Sequence, residues 1–241
     1  MIRFDNVSKR YITEGREKTV VENMNMVIPS GRSVGLLGRN GAGKSTVFEL
    51  LTGFHSADAG RVRFQGRPIL GLRPDQINRL GMGRTFQKLK PFQRMTVEEN
   101  VMVGGLQHDA DLGAAREQAL TALYFVGLLD KRNADAGTLS TGQRKRLELA
   151  RAMATGPKLL LLDEVTGGVD QRSIPALTEL GGRLRSQGTT LIVIEHNMQV
   201  LMSLADRILA LHLGRKIAVG TPREIQEDTL VIESYLGAAY A

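Results

Sequence analysis

The 241-residue chain contains no cysteine, so neither a disulfide framework nor a thiolate metal site is open to it. That absence suits a reducing cytosol. Aromatic residues make up only 5% of the chain, too few for the stacking platforms that hold single-stranded nucleic acid. No uninterrupted apolar run approaches the roughly 20 residues of a membrane-spanning helix. The opening residues, Met1-Ile-Arg-Phe-Asp-Asn6, lack the basic-then-apolar layout of a secretory signal. The chain is therefore expected not to cross a membrane by itself. No repeat, low-complexity tract or flexible linker is present, and His55, His108 and His212 show no metal-ligand spacing. The net charge of +7 permits nucleic acid or anionic headgroups as partners, but the basic residues are scattered, which favours a solvated basic surface. With 42% hydrophobic and 24% charged residues, the chain has the balance of a soluble enzyme built as one large domain with a subdomain.

What is present starts with Gly38-Arg39-Asn40-Gly41-Ala42-Gly43-Lys44-Ser45-Thr46, a complete G-x-x-x-x-G-K-[ST] phosphate loop. The apolar run Ser33–Leu37 precedes it, and Val47-Phe48-Glu49-Leu50-Leu51 reads as the start of a helix. Glycines let successive N–H groups turn toward one phosphate, aided by the positive end of the following helix. Lys44 is placed to reach the outer phosphates and the Ser45 hydroxyl to ligate Mg²⁺.

Ile2–Phe4 with Val7 and Met24–Ile28 read as strands, and Tyr11–Thr19 between them as a polar, hairpin-like loop. Arg61–Arg67 reads as an antiparallel edge strand. Leu159–Leu162 and Thr190–Ile194 are continuous apolar runs, the pattern of parallel strands covered on both faces. From about Lys88 to Gly156 the pattern is helical, clearest over Ala114–Leu123, with no convincing strand. The expected architecture is α/β: a mostly parallel sheet with helices on both faces, an antiparallel β subdomain and an inserted helical subdomain. The division is 1–87 (nucleotide-binding core with the β subdomain), 88–156 (helical subdomain) and 157–241 (the rest of the core and the tail).

Asp163 and Glu164 end an aliphatic run. A parallel strand delivers its C-terminal residues to the ligand crevice, so the two acids belong beside the phosphates, Asp163 on Mg²⁺ through water and Glu164 as general base for the attacking water. Leu139-Ser-Thr-Gly-Gln143 opens a Ser-capped helix whose apolar face includes Leu147, Ala150 and Met153, and Gly156-Pro157 ends it.

In this order, the phosphate loop, Ser140-Thr-Gly142-Gln and the Asp163-Glu164 strand resemble the ATP-binding-cassette (ABC) ATPases over nearly the whole chain, with their P-loop NTPase core. Gln87, in Gly83-Arg-Thr-Phe-Gln87, matches the family's Q-loop, Val165–Asp170 its D-loop region and His196 its switch histidine. The resemblance implies ATP and Mg²⁺ as ligands, with Gln87 joining Ser45 and Asp163 in the Mg²⁺ and water shell and His196 meeting the γ-phosphate. Tyr11 either stacks on adenine or packs as a strand-end aromatic. The resemblance also implies that Ser140 and Gly142 complete a partner's ATP site in a head-to-tail dimer, with Asp170 coupling the two sites. Thr141, Val165 and the loose Gly167-Gly-Val-Asp170 depart from the family pattern at loops rather than at chemical groups.

Gly83–Met102, Ile194-Glu-His-Asn-Met198 and the tail from Gly214 through Ser234-Tyr-Leu-Gly237 resemble the ATPases of branched-chain amino-acid and urea importers. The first 46 residues and Asp163-Glu-Val-Thr166 resemble capsular-polysaccharide exporter ATPases, which keeps export of a glycan as an alternative. The importer resemblance is longer and includes the Q-loop. It implies a peripheral subunit on the cytoplasmic face of the inner membrane, with a separate permease, a second homo- or heterodimeric ATPase subunit and an extracytoplasmic solute-binding protein as partners. Nucleic acid is not an expected partner. Cassette ATPases that act on nucleic acid or ribosomes usually carry two cassettes, a long coiled coil or zinc-binding cysteines.

Overall fold

Every residue of three strands is buried, and those strands form the centre of the molecule. The computed structural model describes residues 1–13, 15–87, 91–107 and 111–236, except the side chains of Thr13 and Leu236. In chain order the elements are β1 (Ile2–Thr13), β2 (Arg16–Ile28), β3 (Ser33–Leu37), α1 (Lys44–Thr52), β4 (Ala59–Phe64), β5 (Arg67–Pro68), α2 (Pro74–Arg79) and β6 (Met82–Arg84). They continue with α3 (Val97–Gly105), α4 (Leu112–Val126), α5 (Thr141–Met153), β7 (Leu159–Asp163), α6 (Ile174–Ser186), β8 (Thr190–Ile194), α7 (Met198–Leu204), β9 (Arg207–His212), β10 (Arg215–Gly220), α8 (Pro222–Glu227) and α9 (Thr229–Leu236).

The six-stranded sheet runs β10-β9-β3-β8-β7-β6, parallel throughout except for the terminal β9–β10 hairpin. A four-stranded antiparallel sheet, β2-β1-β4-β5, covers one side. The alternation of side chains along a strand divides the core in two. Leu159, Leu161, Ile192 and Ile194 pack with α1 and the antiparallel sheet. Leu160, Leu162, Leu191 and Val193 pack with α5, α6 and α7. Phe48 of α1 is fully buried in the first of these cores. Phe48→Ala is expected to cost about 3–5 kcal/mol, read as a lower midpoint in chemical denaturation.

The structure corrects the sequence reading of the edges. Tyr11–Thr19 is not a loop, because β1 continues to Thr13, β2 begins at Arg16, and Tyr11 pairs with Lys18. Residues 16–19 are exposed, so no apolar alternation marks the strand. β4 lies between β1 and β5, which makes the two-residue β5 the edge, with Pro68 at a position where no donor is needed. Strands β6, β9 and β10 were not among the expected strands, although Ile208-Leu-Ala-Leu211 of β9 is an apolar run, buried throughout like those of β7 and β8. The β9–β10 turn places both Leu213 (φ 46°) and Gly214 (φ 80°) in the left-handed region, a turn normally announced by Asn-Gly. Between residues 91 and 156, helices α3, α4 and α5 dominate, and the β pairing among the described residues is the isolated bridge of Thr96 with Asp135. The expected boundary at Lys88, His108 and the end of the tail motif at Gly237 lie outside the described residues. Among the described residues no helix is long and apolar enough to cross a membrane.

Candidate nucleotide site

The phosphate loop leaves β3 and enters α1 through Gly43, at φ 102°. A Cβ there would meet the Val20 carbonyl oxygen at 2.6 Å, so only glycine lets the loop pass this close to β2. The Gly214 N–H donates to the Ala42 carbonyl, which ties the loop to the β9–β10 hairpin. No side chain caps the N-terminus of α1, so its first N–H groups remain for an anion.

These elements enclose a cavity of about 370 Å³ lined by Val20, Asn40, Gly41, Ala42, Gly43, Lys44, Ser45, Thr46, Gln87, Glu164, Ile194 and His196. A second cavity, about 350 Å³, adjoins it around Gly38, Arg39, Asn40, His196 and Tyr235. A larger one, about 930 Å³, lies between the antiparallel sheet and β9–β10 and contains none of the expected site residues. Lys44 is buried, and its ammonium donates to the carbonyl oxygens of Gly38 and Arg39. Burial pushes its pKa below the usual lysine value, against the opposing pull of Glu164 and Asp163.

Among the described residues Glu164 is the carboxylate that lines the main cavity. Gln87 Nε2 donates to its Oε2 at 2.8 Å, and His196 Nε2 lies 2.8 Å from its Oε1. The backbone of Glu164 is left-handed, φ 50°, which is strained for a residue with a Cβ. Three hydrogen bonds hold it: its N–H donates to Ile194 O at 2.9 Å, and its carbonyl accepts from Gly167 N at 3.0 Å and from Lys145 Nζ at 2.6 Å. Asp163 next to it is almost fully buried and paired with Arg84 Nη2 at 2.8 Å.

Ser45, Gln87 and Asp163 line one groove. Their donors are a hydroxyl, a carboxamide and a carboxylate, all hard oxygens that fit Mg²⁺, an ion that keeps several of its own waters. Asp163, already shared with Arg84, suits contact through such a water.

Other expected residues stand apart. Tyr11 does not line the cavity itself but touches its wall, through a side-chain hydrogen bond with Thr46 of the phosphate loop. Its hydroxyl also reaches Glu49 Oε2 at 3.4 Å and its ring meets His55 edge-on, with centroids 5.4 Å apart. Ser140, Gly142 and Asp170 do not line it either. Ser140 caps α5 in a reciprocal box with Gln143, at 3.0 and 3.3 Å. Asp170 accepts from Ser173 N and Oγ, and a Cβ on Gly142 would meet that Oγ at 3.0 Å. Within one chain the signature helix and the D-loop region thus touch each other, away from the phosphate loop.

Sequence reasoning missed Arg84, Lys145, Glu195 and Tyr235. Glu195 accepts from Thr166 N and Oγ1 at 2.9 and 2.8 Å, and burial raises its pKa. Tyr235 brings the C-terminal helix to the phosphate loop, where the Gly38 N–H bonds its hydroxyl. The available signals were slight: a charge at the end of a short strand for Arg84, and a glutamate directly after a buried strand for Glu195.

Fold and cavity define a class: a nucleotide-binding protein that presents a bound phosphate chain to a strand-borne carboxylate. Residues 21–167 match the family described as ABC transporter, and residues 215–241 the one described as branched-chain amino acid ATP-binding cassette transporter. The chain is 39% identical to the high-affinity branched-chain amino acid transport ATP-binding protein LivG of Salmonella typhimurium, covering 91% of this chain and 92% of LivG. It is 33% identical to the lipopolysaccharide export system ATP-binding protein LptB of Acidithiobacillus ferridurans, covering 92% of each. A nucleotide-free ATP-binding cassette from an ABC transporter superposes with a TM-score of 0.86 at 29% identity, covering 98% of both chains. A dimeric cassette in a post-hydrolysis state with ADP and Pi gives 0.83 at 26% identity, covering 92% of this chain and 99% of that one.

The chain belongs to the ABC transporter family, as an ATP-binding subunit of the branched-chain amino-acid type. It binds ATP and hydrolyses it to drive transport as part of an ABC transporter complex.

Proposed function

We propose that this ATPase powers import of branched-chain amino acids or a related small polar solute, from the cytoplasmic face of the inner membrane. Its partners in this reading are a separate permease, a second cassette subunit and an extracytoplasmic solute-binding protein. The observation that carries the mechanism is that Glu164, Gln87, His196 and Lys44 share one cavity while Ser140 and Gly142 stand outside it. A cavity lacking its own signature residues suits a head-to-tail pair, in which Ser140 and Gly142 of each subunit close the other's site and Asp170 lies in the same interface. A helix N-terminus facing a γ-phosphate is then a favourable contact.

In each site the N–H groups of Gly41–Ser45 and the Lys44 ammonium hold the phosphates, and Ser45, Gln87 and Asp163 would hold Mg²⁺. Bound there, it would supply neutralisation of the charge on the phosphates. Gln87 orients the water. Glu164 takes its proton as the water oxygen bonds to the γ-phosphorus and the bond to the bridging oxygen breaks, leaving ADP and phosphate. His196, beside both Glu164 and the loop, meets the γ-phosphate. Arg84 holds Asp163 in place. Phe86, exposed next to Gln87, together with Arg151 forms an open groove toward a permease.

The test is to trap Glu164→Gln with Mg-ATP and identify the membrane proteins that co-purify. An amino-acid permease supports the reading. A glycan exporter overturns import, and ribosomal or nucleic-acid partners overturn transport through a permease.

A further inference from the structure

Helix α5 grips the water-activating pair from behind. Lys145, 5% exposed, donates its 2.6 Å hydrogen bond to the Glu164 carbonyl. One turn further along the same face, the buried Glu148 carboxylate accepts from the backbone of Phe86, the residue before Gln87. Gln87 and Glu164 in turn bond each other across the cavity. Nothing in the capping or packing of α5 requires an ion in its second turn, and a buried ammonium is costly unless it is paired. The acids around it, Glu195, Glu164, Asp163 and Glu148, supply the opposing charge.

We propose that Lys145 is a positioning residue, and that through it α5 couples the two nucleotide sites of the assembled pair. The inference rests on the head-to-tail reading above. The N-terminus of α5, at Ser140, serves the partner's nucleotide, and Lys145 stands five residues on, about 7.5 Å along the axis. A helix moves as a rigid body, so drawing Ser140 toward the partner's γ-phosphate carries Lys145 and Glu148 with it. The strained turn at Glu164 depends on outside hydrogen bonds for its geometry, and this motion aims or releases the carboxylate of the subunit's own site. Each subunit therefore reads the occupancy of its partner's site through α5 and sets its own base accordingly.

The experiment measures hydrolysis against ATP concentration, and ATP-induced association by light scattering, for the full-length wild type, Lys145→Met and Lys145→Arg. Lys145→Met is expected to lower kcat at least about tenfold and bring the Hill coefficient toward one, with KM and association within about threefold of wild type. Lys145→Arg, which keeps a donor, is expected to recover part of both. The double variant Lys145→Met/Glu195→Gln keeps the cluster's charge balanced and decides the matter if the single change does not fold. A wild type that associates and hydrolyses cooperatively, with a folded variant of unchanged kcat and Hill coefficient, overturns the inference alone. A wild type that hydrolyses ATP but never associates overturns the head-to-tail reading and the coupling with it.

Discussion

Glu164→Gln is expected to lower kcat for ATP hydrolysis at least about a hundredfold, or about 2.7 kcal/mol of transition-state stabilisation, while ATP binding stays within a few-fold. The amide keeps the size and hydrogen-bonding reach of the side chain but cannot accept the proton of the attacking water. Among the described residues no neighbouring acid is placed to substitute. Asp163 is held by Arg84, Glu195 is engaged by Thr166, and Glu148 by Arg151 and the Phe86 backbone. Because binding is retained, the variant is also expected to accumulate as an ATP-bound pair, visible as a doubling of mass in light scattering. Near-wild-type turnover would show that the base lies elsewhere.

Lys44→Met acts on the other half of the chemistry. Among the described residues Lys44 is the lysine lining the cavity, and charge-assisted hydrogen bonds to phosphate contribute about 1.5–3 kcal/mol each. Its loss is expected to weaken ATP binding about 10- to 150-fold, measured by calorimetric titration. The empty protein gains little from this ammonium, since burial already disfavours its charge and its bonds run to two loop carbonyls. Thermal unfolding without nucleotide is therefore expected to change by only a few degrees, while the stabilisation that ATP gives the wild type disappears. A variant that unfolds without nucleotide would assign Lys44 a structural role instead.

Legibility along the chain followed local periodicity and local motifs. The buried strands β3, β7 and β8 were readable because a strand covered on both faces is apolar at every position. Helix α5 was readable because Ser140 and Gln143 form its cap within four residues. The exposed arms of the β1–β2 hairpin were not, since strands facing solvent carry polar residues that resemble a loop. The three-residue β6 is too short for a period, and the β9–β10 turn uses Leu-Gly where a recognisable hairpin uses Asn-Gly. Lys145 escaped for a different reason: a lysine in a basic helix start reads as a solvated charge until the fold buries it.

The sequence by itself determined the phosphate loop, the strand-borne Asp163-Glu164 pair and the family, because each is a short run whose spacing carries its own chemistry. Tertiary structure alone decided which groups meet across long separations. Gln87 and His196 close on Glu164 from sequence distances of 77 and 32 residues, Lys145 reaches the Glu164 carbonyl from 19, and Tyr235 arrives at Gly38 from the far end of the chain. Contacts of that kind depend on strand order and helix packing, which set neighbours that no local pattern specifies.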